Sequence, residues 1–139
     1  MEIQTMLKIR KELLEKIQEL ANEKHPIEVC GIISAPVGCS IAEHLIAIRN
    51  VACSEFYFEF DSKEQLKVWR HLEQSDEVCF AIYHSHTDSI PYPSTEDIRF
   101  AVDPEMHYII VATQPTDVSD IRSFQIVNGM VTEEQIIPY

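Results

Sequence analysis

Basic residues are scarce in this chain of 139 residues: 11 Lys and Arg stand against 23 Asp and Glu, which gives a formal net charge of −12. Binding of nucleic acid depends on clustered basic side chains that displace the counterions of the phosphate backbone. The acidic excess therefore argues against nucleic acid as a partner. It favours a protein partner whose surface is neutral or basic.

Long apolar runs and flexible segments are missing as well. The first twenty residues, MEIQTMLKIRKELLEKIQEL, carry a charge every few positions and are typical neither of a secretory signal nor of a membrane span. No other apolar run approaches membrane length. With only three glycines and no internal repeat, the sequence shows no flexible linker. We therefore expect one compact domain, residues 1–139, located in the cytoplasm.

The four cysteines show no C-x-x-C spacing and lie in apolar or strand-like surroundings; they are Cys30, Cys39, Cys53 and Cys79. An even number permits disulfides. Without a secretory signal, however, buried free thiols are the expectation.

Apolar periodicity predicts two long helices. Residues 10–25 place Leu13, Ile17 and Leu20 on one face, and Pro26 ends that helix. Asp61 begins a second helix, with Glu64 three residues later as in a capping box. Its apolar face is expected to bury three residues: Leu66, Trp69 and Leu72.

The remaining chain is dominated by strand-like runs rich in Ile, Val and aromatic residues. The predicted strands are residues 27–35, 39–52, 56–60, 77–86, 107–113, 119–127 and 130–139. A short helix is predicted to begin at Ser94. Strand runs interrupted by helices indicate an α/β or α+β fold with one sheet and helices packed on it.

The segment YHSHTDSIPYPSTED, residues 83–97, concentrates chemically capable side chains. Because side chains alternate along a strand, His84 and His86 point to the same face and form a pair of ligands suited to zinc. The chain then delivers Ser94 and Asp97 to the start of a helix, where the carboxylate could be a third ligand. Three protein ligands leave a fourth position open for water, as in catalytic zinc sites.

The spacing alone leaves a second interpretation open. His84 and His86 could be two half-exposed histidines of an ordinary strand. Ser94 and Asp97 also match the serine cap and third-position acid that a helix start favours. The cap and the metal role are compatible, so the pattern by itself decides neither way.

The arrangement His84-x-His86, seven residues, then Ser94-x-x-Asp97, with Glu28 upstream in PIEVCGIIS, resembles the signature of the JAMM (MPN+) metalloprotease family. The resemblance runs through nearly the whole chain, including the order of helices and strands. It implies a JAMM/MPN domain, cytidine-deaminase-like, with a single mixed β-sheet flanked by helices.

Further residues are similar to the Mec subgroup of that family. Thr87 stands where many members have proline, and YPSTEDI, HYIIV and RSFQIVNGMVTEE also resemble this subgroup. Mec enzymes are zinc hydrolases that release cysteine from the C-terminal Gly-Gly of a ubiquitin-like sulfur-carrier protein. The resemblance thus implies a zinc-dependent peptidase acting in cysteine biosynthesis and sulfur transfer.

The resemblance also assigns roles to five residues. His84, His86 and Asp97 would bind one zinc ion per chain. Glu28 would act as general base and then general acid, and Ser94 would donate a hydrogen bond to the oxyanion. No residue is assigned to the substrate tail. We interpret Cys30 as a small buried hydrophobe, and the remaining histidines as surface or packed residues: His25, His44, His71 and His107.

Three alternatives stand beside the Mec-type hydrolase. A general JAMM isopeptidase or carrier-maturing protease would cut after Gly-Gly with other leaving groups. A metal-free MPN scaffold would lack the ligand set, which this sequence retains. A zinc nucleoside deaminase would need H-x-E and P-C-x-x-C motifs, and neither is present.

Overall fold

The computed structural model describes residues 5–113 and 120–139, so residues 1–4 and the first residue of the strand predicted at 119–127 lie outside it. The described residues form three helices and seven strands. In chain order these are β1 (Met6–Ile9), α1 (Lys11–Lys24), β2 (Cys30–Pro36), β3 (His44–Ile48), α2 (Ser62–Gln74), β4 (Glu77–His86), α3 (Thr95–Phe100), β5 (His107–Ala112), β6 (Ile121–Val127) and β7 (Met130–Pro138). None of the described helices is long and apolar enough to cross a membrane.

All seven strands belong to one sheet in the order β1-β7-β6-β5-β4-β2-β3. The pairs β1–β7 and β4–β5 are parallel, and the other pairs are antiparallel. The sheet is therefore mixed, and the predicted fold class is confirmed. Strand β4 lies between β5 and β2, so both of its edges are paired.

The two long helices lie on opposite faces of the sheet. Ile17 and Ala21 of α1 belong to one buried cluster, together with Tyr83 of β4 and residues of β1, β2 and β5. Leu72 of α2 belongs to a second buried cluster with Ile32 of β2 and a residue of β3. The central strands are thus buried on both faces, which explains their continuous apolar runs.

The segment predicted as a strand at residues 56–60 is not one. Only Phe60 makes a bridge, to Asn50, and the rest of the segment is irregular. The Asn50 side chain accepts hydrogen bonds from the backbone N–H groups of Ala52 and Glu59. Side-chain hydrogen bonds of this kind replace ladder bonds, so the backbone forms a loop instead.

The predicted burial of the second helix is partly wrong. Leu72 is buried, but Trp69 is 39% exposed and Leu66 is also exposed. Asp61 caps the helix as predicted, accepting from two backbone N–H groups. Glu64 does not complete a capping box, because its carboxylate accepts instead from the backbone N–H of Arg49.

Other boundaries differ by a few residues. Strand β2 begins three residues later than predicted, at Cys30, and β3 occupies only five residues of the predicted 39–52. Strand β1, four residues long, was not predicted because so short a run carries little periodic signal. The prediction for β4, residues 77–86, is confirmed in full.

Gly31 gives a direct test of the packing between β2 and β4. A Cβ atom at this position would lie 2.4 Å from the Ile46 carbonyl oxygen and 2.4 Å from the Tyr83 hydroxyl oxygen. Because Tyr83 is fully buried, it has little room to move. We expect Gly31→Ala to lower the free energy of unfolding by about 3 kcal/mol, the upper part of the usual range for overpacking. Urea denaturation would measure the change.

Gly38→Ala is the matched control, since a Cβ there meets nothing within 4 Å and only the positive φ of 78° is unfavourable. Its cost should be near 1 kcal/mol. Equal stability of the two variants would contradict the packing argument.

Candidate metal centre

The two histidines of the candidate centre lie at the C-terminal end of β4. His84 and His86 are both buried, and their Nε2 atoms are 3.1 Å apart. Their separation by one residue puts both rings on one face of the strand, as the alternation rule predicts. The Nδ1 atom of His86 lies 2.9 Å from the carbonyl oxygen of Ile90. Because a carbonyl only accepts, Nδ1 carries a proton, and Nε2 is the ring nitrogen that faces the centre.

The third member of the centre, Asp97, arrives with the start of α3. Ser94 caps this helix: its hydroxyl accepts from the Asp97 N–H at 3.1 Å, and Asp97 Oδ2 accepts from the Ser94 N–H at 2.8 Å. This reciprocal capping box orients the Asp97 carboxylate. The cap predicted from Ser94-x-x-Asp97 is therefore present, and it coexists with the approach of Asp97 to the histidines.

The three potential ligand atoms form a nearly equilateral triangle. Asp97 Oδ2 lies 3.1 Å from His84 Nε2 and 3.2 Å from His86 Nε2. In tetrahedral coordination with bonds of about 2.0–2.1 Å, two ligand atoms are separated by about 3.3–3.4 Å. The observed spacing is close to that value, and two imidazoles with one carboxylate are a donor set that zinc accepts. The residues present thus fit a zinc ion.

Burial and hydrogen bonds shift the pKa values of the three side chains in the centre. Burial alone would raise the pKa of Asp97, but hydrogen bonds from His84 and His86 outweigh burial and hold that pKa well below its usual range. Burial lowers the pKa of His84. Burial acts in the same direction on His86, but there the hydrogen bonds to Asp97 and Ile90 prevail and raise the pKa.

Glu28 lies two residues before β2, is buried, and is close enough to this cluster to interact with the charges of His86 and Asp97. Burial raises its pKa to about 8; the charge of His86 opposes this shift and the charge of Asp97 adds to it. The position of Glu28 follows from strand pairing, because Cys30 is aligned with His84. Two further bonds extend that pairing: the Val29 N–H donates to Ser85 Oγ at 2.8 Å, and the Ser85 N–H donates to the Val29 carbonyl at 3.0 Å.

Several residues that support the centre could not be assigned from the sequence. The Phe58 ring stacks on His84 with centroids 4.5 Å apart. The Thr87 hydroxyl donates to the Glu55 carbonyl at 2.8 Å. Ser85, the small polar residue between the histidines, holds the segment of Glu28. The role of Ser85 could have been suspected from the sequence, because a serine within an otherwise apolar strand needs a hydrogen-bond partner. The residues around Phe58 in the sequence give no indication that its ring contacts His84.

Among the described residues, no other cysteine or histidine belongs to this group of potential ligands. Cys30 is buried and donates to the Ile48 carbonyl, and burial raises the pKa of its thiol to about 12, so it is a packed thiol and no nucleophile. His107 is paired with buried Glu134 on the sheet. His44 lies with Glu43 and Glu77 in a second group at the opposite end of β4, where His44 is exposed.

Comparison with known proteins gives a family match along most of the chain. The model of the family described as prokaryotic homologs of the JAB domain matches residues 10–127. A curated relative from Mycobacterium tuberculosis, described as a CysO-cysteine peptidase, is 41% identical over 131 residues, which cover 94% of this chain and 90% of the relative. A desampylase of Haloferax volcanii is 28% identical over 102 residues, 73% of each protein.

Solved structures agree in fold. The solution structure of a Desulfitobacterium hafniense protein has a TM-score of 0.80 at 28% identity, covering 97% of this chain and 93% of that one. A structure described as JAMM, a metalloprotease-like zinc site in the proteasome and signalosome, has a TM-score of 0.58 at 23% identity, covering 96% and 99%. The predictions of a JAMM-type fold and of a hydrolase are thereby confirmed. The chain belongs to the family of prokaryotic homologs of the JAB domain.

Proposed function

We propose that this protein is a zinc-dependent peptidase that hydrolyses the bond between the C-terminal Gly-Gly of a ubiquitin-like sulfur-carrier protein and a cysteine. The observation that carries the proposal is the convergence of His84, His86 and Asp97 beside the buried carboxyl of Glu28. The 41% identity to a CysO-cysteine peptidase along nearly the whole chain supports the substrate. In this proposal residues 1–139 are a single peptidase domain.

His84, His86 and Asp97 would hold one zinc ion per chain. A zinc ion held there would supply Lewis-acid chemistry, which polarises a carbonyl group and makes a water molecule more acidic. The protein's own contribution is to fix the three ligand atoms: β4 positions the imidazoles, the capping box orients the carboxylate, and the Ile90 carbonyl sets the tautomer of His86.

Glu28 would move the proton of the reaction. A carboxylate at this position accepts a proton from the attacking water and then delivers it to the departing amine of cysteine. Burial, which raises its pKa, makes Glu28 more basic than an exposed glutamate. The Ser94 hydroxyl accepts from the Asp97 N–H, so its own O–H is free to donate to the oxyanion of the tetrahedral intermediate.

The burial of the centre fits an extended C-terminal tail. Glu28, His84 and His86 are each almost completely shielded from solvent. A folded carrier can reach such atoms only through a narrow terminal segment, and Gly-Gly is the narrowest that a chain offers. No ATP or redox cofactor is needed, because the reaction is a single amide hydrolysis.

A second candidate is a general isopeptidase or carrier-maturing protease. The specific observation in its favour is the similarity to a desampylase, which is 28% identical over 73% of the chain. The two candidates share the metal centre and the proton-transfer residue. They differ in the group that leaves after Gly-Gly, so only a substrate comparison separates them.

The first prediction from the proposed function concerns the metal. The purified protein should carry about one zinc per chain, and the double variant His84→Ala/His86→Ala should carry almost none, because two of three ligands are removed. Metal analysis of both proteins would measure this. The control is His44→Ala/His71→Ala, which removes two histidines outside the centre and part of the second group. Full zinc retention by the His84→Ala/His86→Ala protein would contradict the ligand assignment.

The second prediction separates metal binding from proton transfer. Glu28→Gln keeps the shape of the side chain but removes its basicity. We expect normal zinc content and a turnover number at least about a hundredfold lower, the usual scale for a positioned general base. Glu134→Gln is a matched control, since Glu134 is equally buried but pairs with His107 on the sheet. Near-normal turnover of Glu28→Gln would require another base.

The third prediction concerns the substrate. An intact carrier–cysteine conjugate should lose one cysteine and keep a free C-terminal carboxylate, and a chelator should stop the reaction. A short peptide that ends in Gly-Gly-Cys should be a poor substrate, because binding energy from the folded carrier drives the reaction at the scissile bond. Mass spectrometry of the intact carrier would measure both.

A carrier joined through the same Gly-Gly terminus to a lysine side chain is the control for that experiment. Survival of the cysteine conjugate together with cleavage of the lysine isopeptide would replace the first candidate with the second.

A further inference from the structure

The segment between β3 and α2, residues 49–61, contacts both halves of the candidate centre, and we call it the β3–α2 loop. Its Ser54 carbonyl accepts from the Glu28 N–H at 2.9 Å. Its Phe58 ring stacks on His84, and its Glu55 carbonyl accepts from Thr87. The loop is thus bonded to the segment that carries the proposed base and also lies against the strand that carries the ligands.

Asn50 determines the conformation of this loop. Its side-chain carbonyl accepts from the N–H groups of Ala52 and Glu59, each at 3.0 Å. Its amide nitrogen donates to the Tyr57 carbonyl at 3.2 Å and to the Glu28 carbonyl at 3.0 Å. An asparagine side chain can make two bonds at each end, so all four are used. Asn50 is only 7% exposed, so these bonds are shielded from water.

Both backbone groups of Glu28 are therefore held by the β3–α2 loop. The N–H is bonded to Ser54 and the C=O to Asn50, while the next residue, Val29, is held by Ser85 of β4. Glu28 precedes β2 and lies outside the regular ladder. Among the described residues, the Asn50 side chain is the only hydrogen-bond donor to the Glu28 carbonyl. Loss of that donor would leave this carbonyl without a hydrogen bond from the described part of the protein.

We propose that Asn50 is a positioning residue for Glu28: its buried amide fixes the backbone of Glu28 and so directs the carboxyl toward the reacting water. This inference rests on the proposed role of Glu28 as proton carrier. A purely structural role for Asn50 would lower stability alone. A positioning role must act through Glu28, and a double-mutant cycle distinguishes the two.

Asn50→Asp is the discriminating substitution. It keeps the oxygen that Ala52 and Glu59 use, but it replaces the donor to the Glu28 and Tyr57 carbonyls with an acceptor that repels both. With the carrier–cysteine conjugate as substrate, we expect kcat to fall about tenfold, since a misdirected base slows the chemical step. KM should change less than about twofold and zinc content should be normal, because neither tail binding nor the ligands depend on this bond.

Ser34→Ala is the matched control. Ser34 of β2 is fully buried and donates a hydrogen bond to Glu77, which lies at the end of β4 opposite the candidate centre. It therefore removes a buried polar contact without approaching Glu28, and its kcat should be normal. A tenfold loss in Ser34→Ala would show that general destabilisation explains the effect, which would overturn the proposal.

The double-mutant cycle is completed by measuring the effect of Asn50→Asp in the Glu28→Gln variant. If Asn50 acts through Glu28, adding Asn50→Asp to Glu28→Gln should lower kcat by less than about twofold further. A second tenfold loss in that background would mean that the two residues act independently, and the positioning role would be refuted.

A measurement that needs no substrate tests the positioning role of Asn50 independently of the proposed peptidase activity. Amide hydrogen exchange at the Glu28 N–H should be about tenfold faster in Asn50→Asp, whereas Ile32 in the middle of β2 should be unaffected. Unchanged protection at Glu28 overturns the positioning role even if the conjugate is cleaved. Failure of the wild-type protein to cleave the conjugate refutes the proposed function and leaves this readout valid.

Folding of the variant is checked in the same experiment through Ile32. Asn50→Ser, which keeps one short polar group, serves if Asn50→Asp does not fold. Global loss of protection in both variants would show that Asn50 maintains the whole domain rather than Glu28, and this result would also overturn the proposal.

Discussion

One carboxylate oxygen, Asp97 Oδ2, joins the elements of the candidate centre. It accepts from the Ser94 N–H and lies within 3.2 Å of the Nε2 atoms of His84 and His86. The contact that begins α3 is therefore also the contact that fixes this helix against the end of β4. A largely buried carboxylate is costly unless its hydrogen bonds are satisfied, so the helix start and the histidine pair each depend on the other.

The parts of the centre that are close in sequence could be predicted from it. Side-chain alternation placed His84 and His86 on one face, and the capping rule placed Ser94 and Asp97 at a helix start; both follow from backbone geometry within a few residues. Glu28 is different, because it reaches the centre only through the pairing of β2 with β4. Periodicity does not determine which strands pair, so only the family resemblance indicated this residue.

Two of the mistaken predictions share one cause, which is that tertiary contacts override local preference. Residues 56–60 have strand-like composition, yet the side chain of Asn50 takes the hydrogen bonds that a neighbouring strand would have made. Trp69 has the correct helical spacing, but α2 buries Leu72 against the sheet and leaves Trp69 39% exposed. Spacing defines an apolar face, whereas the extent of the sheet decides how much of that face is covered.

Charge balance links metal binding to proton transfer in the candidate centre. Glu28 and Asp97 are two carboxyl groups in a shielded site, and the charge of Asp97 adds to the burial that raises the pKa of Glu28. A divalent cation between the two imidazoles and Asp97 would place positive charge near both carboxylates and lower the pKa of Glu28. The ion that three residues would hold is thus also the counter-charge that would allow a buried glutamate to give up its proton near neutral pH.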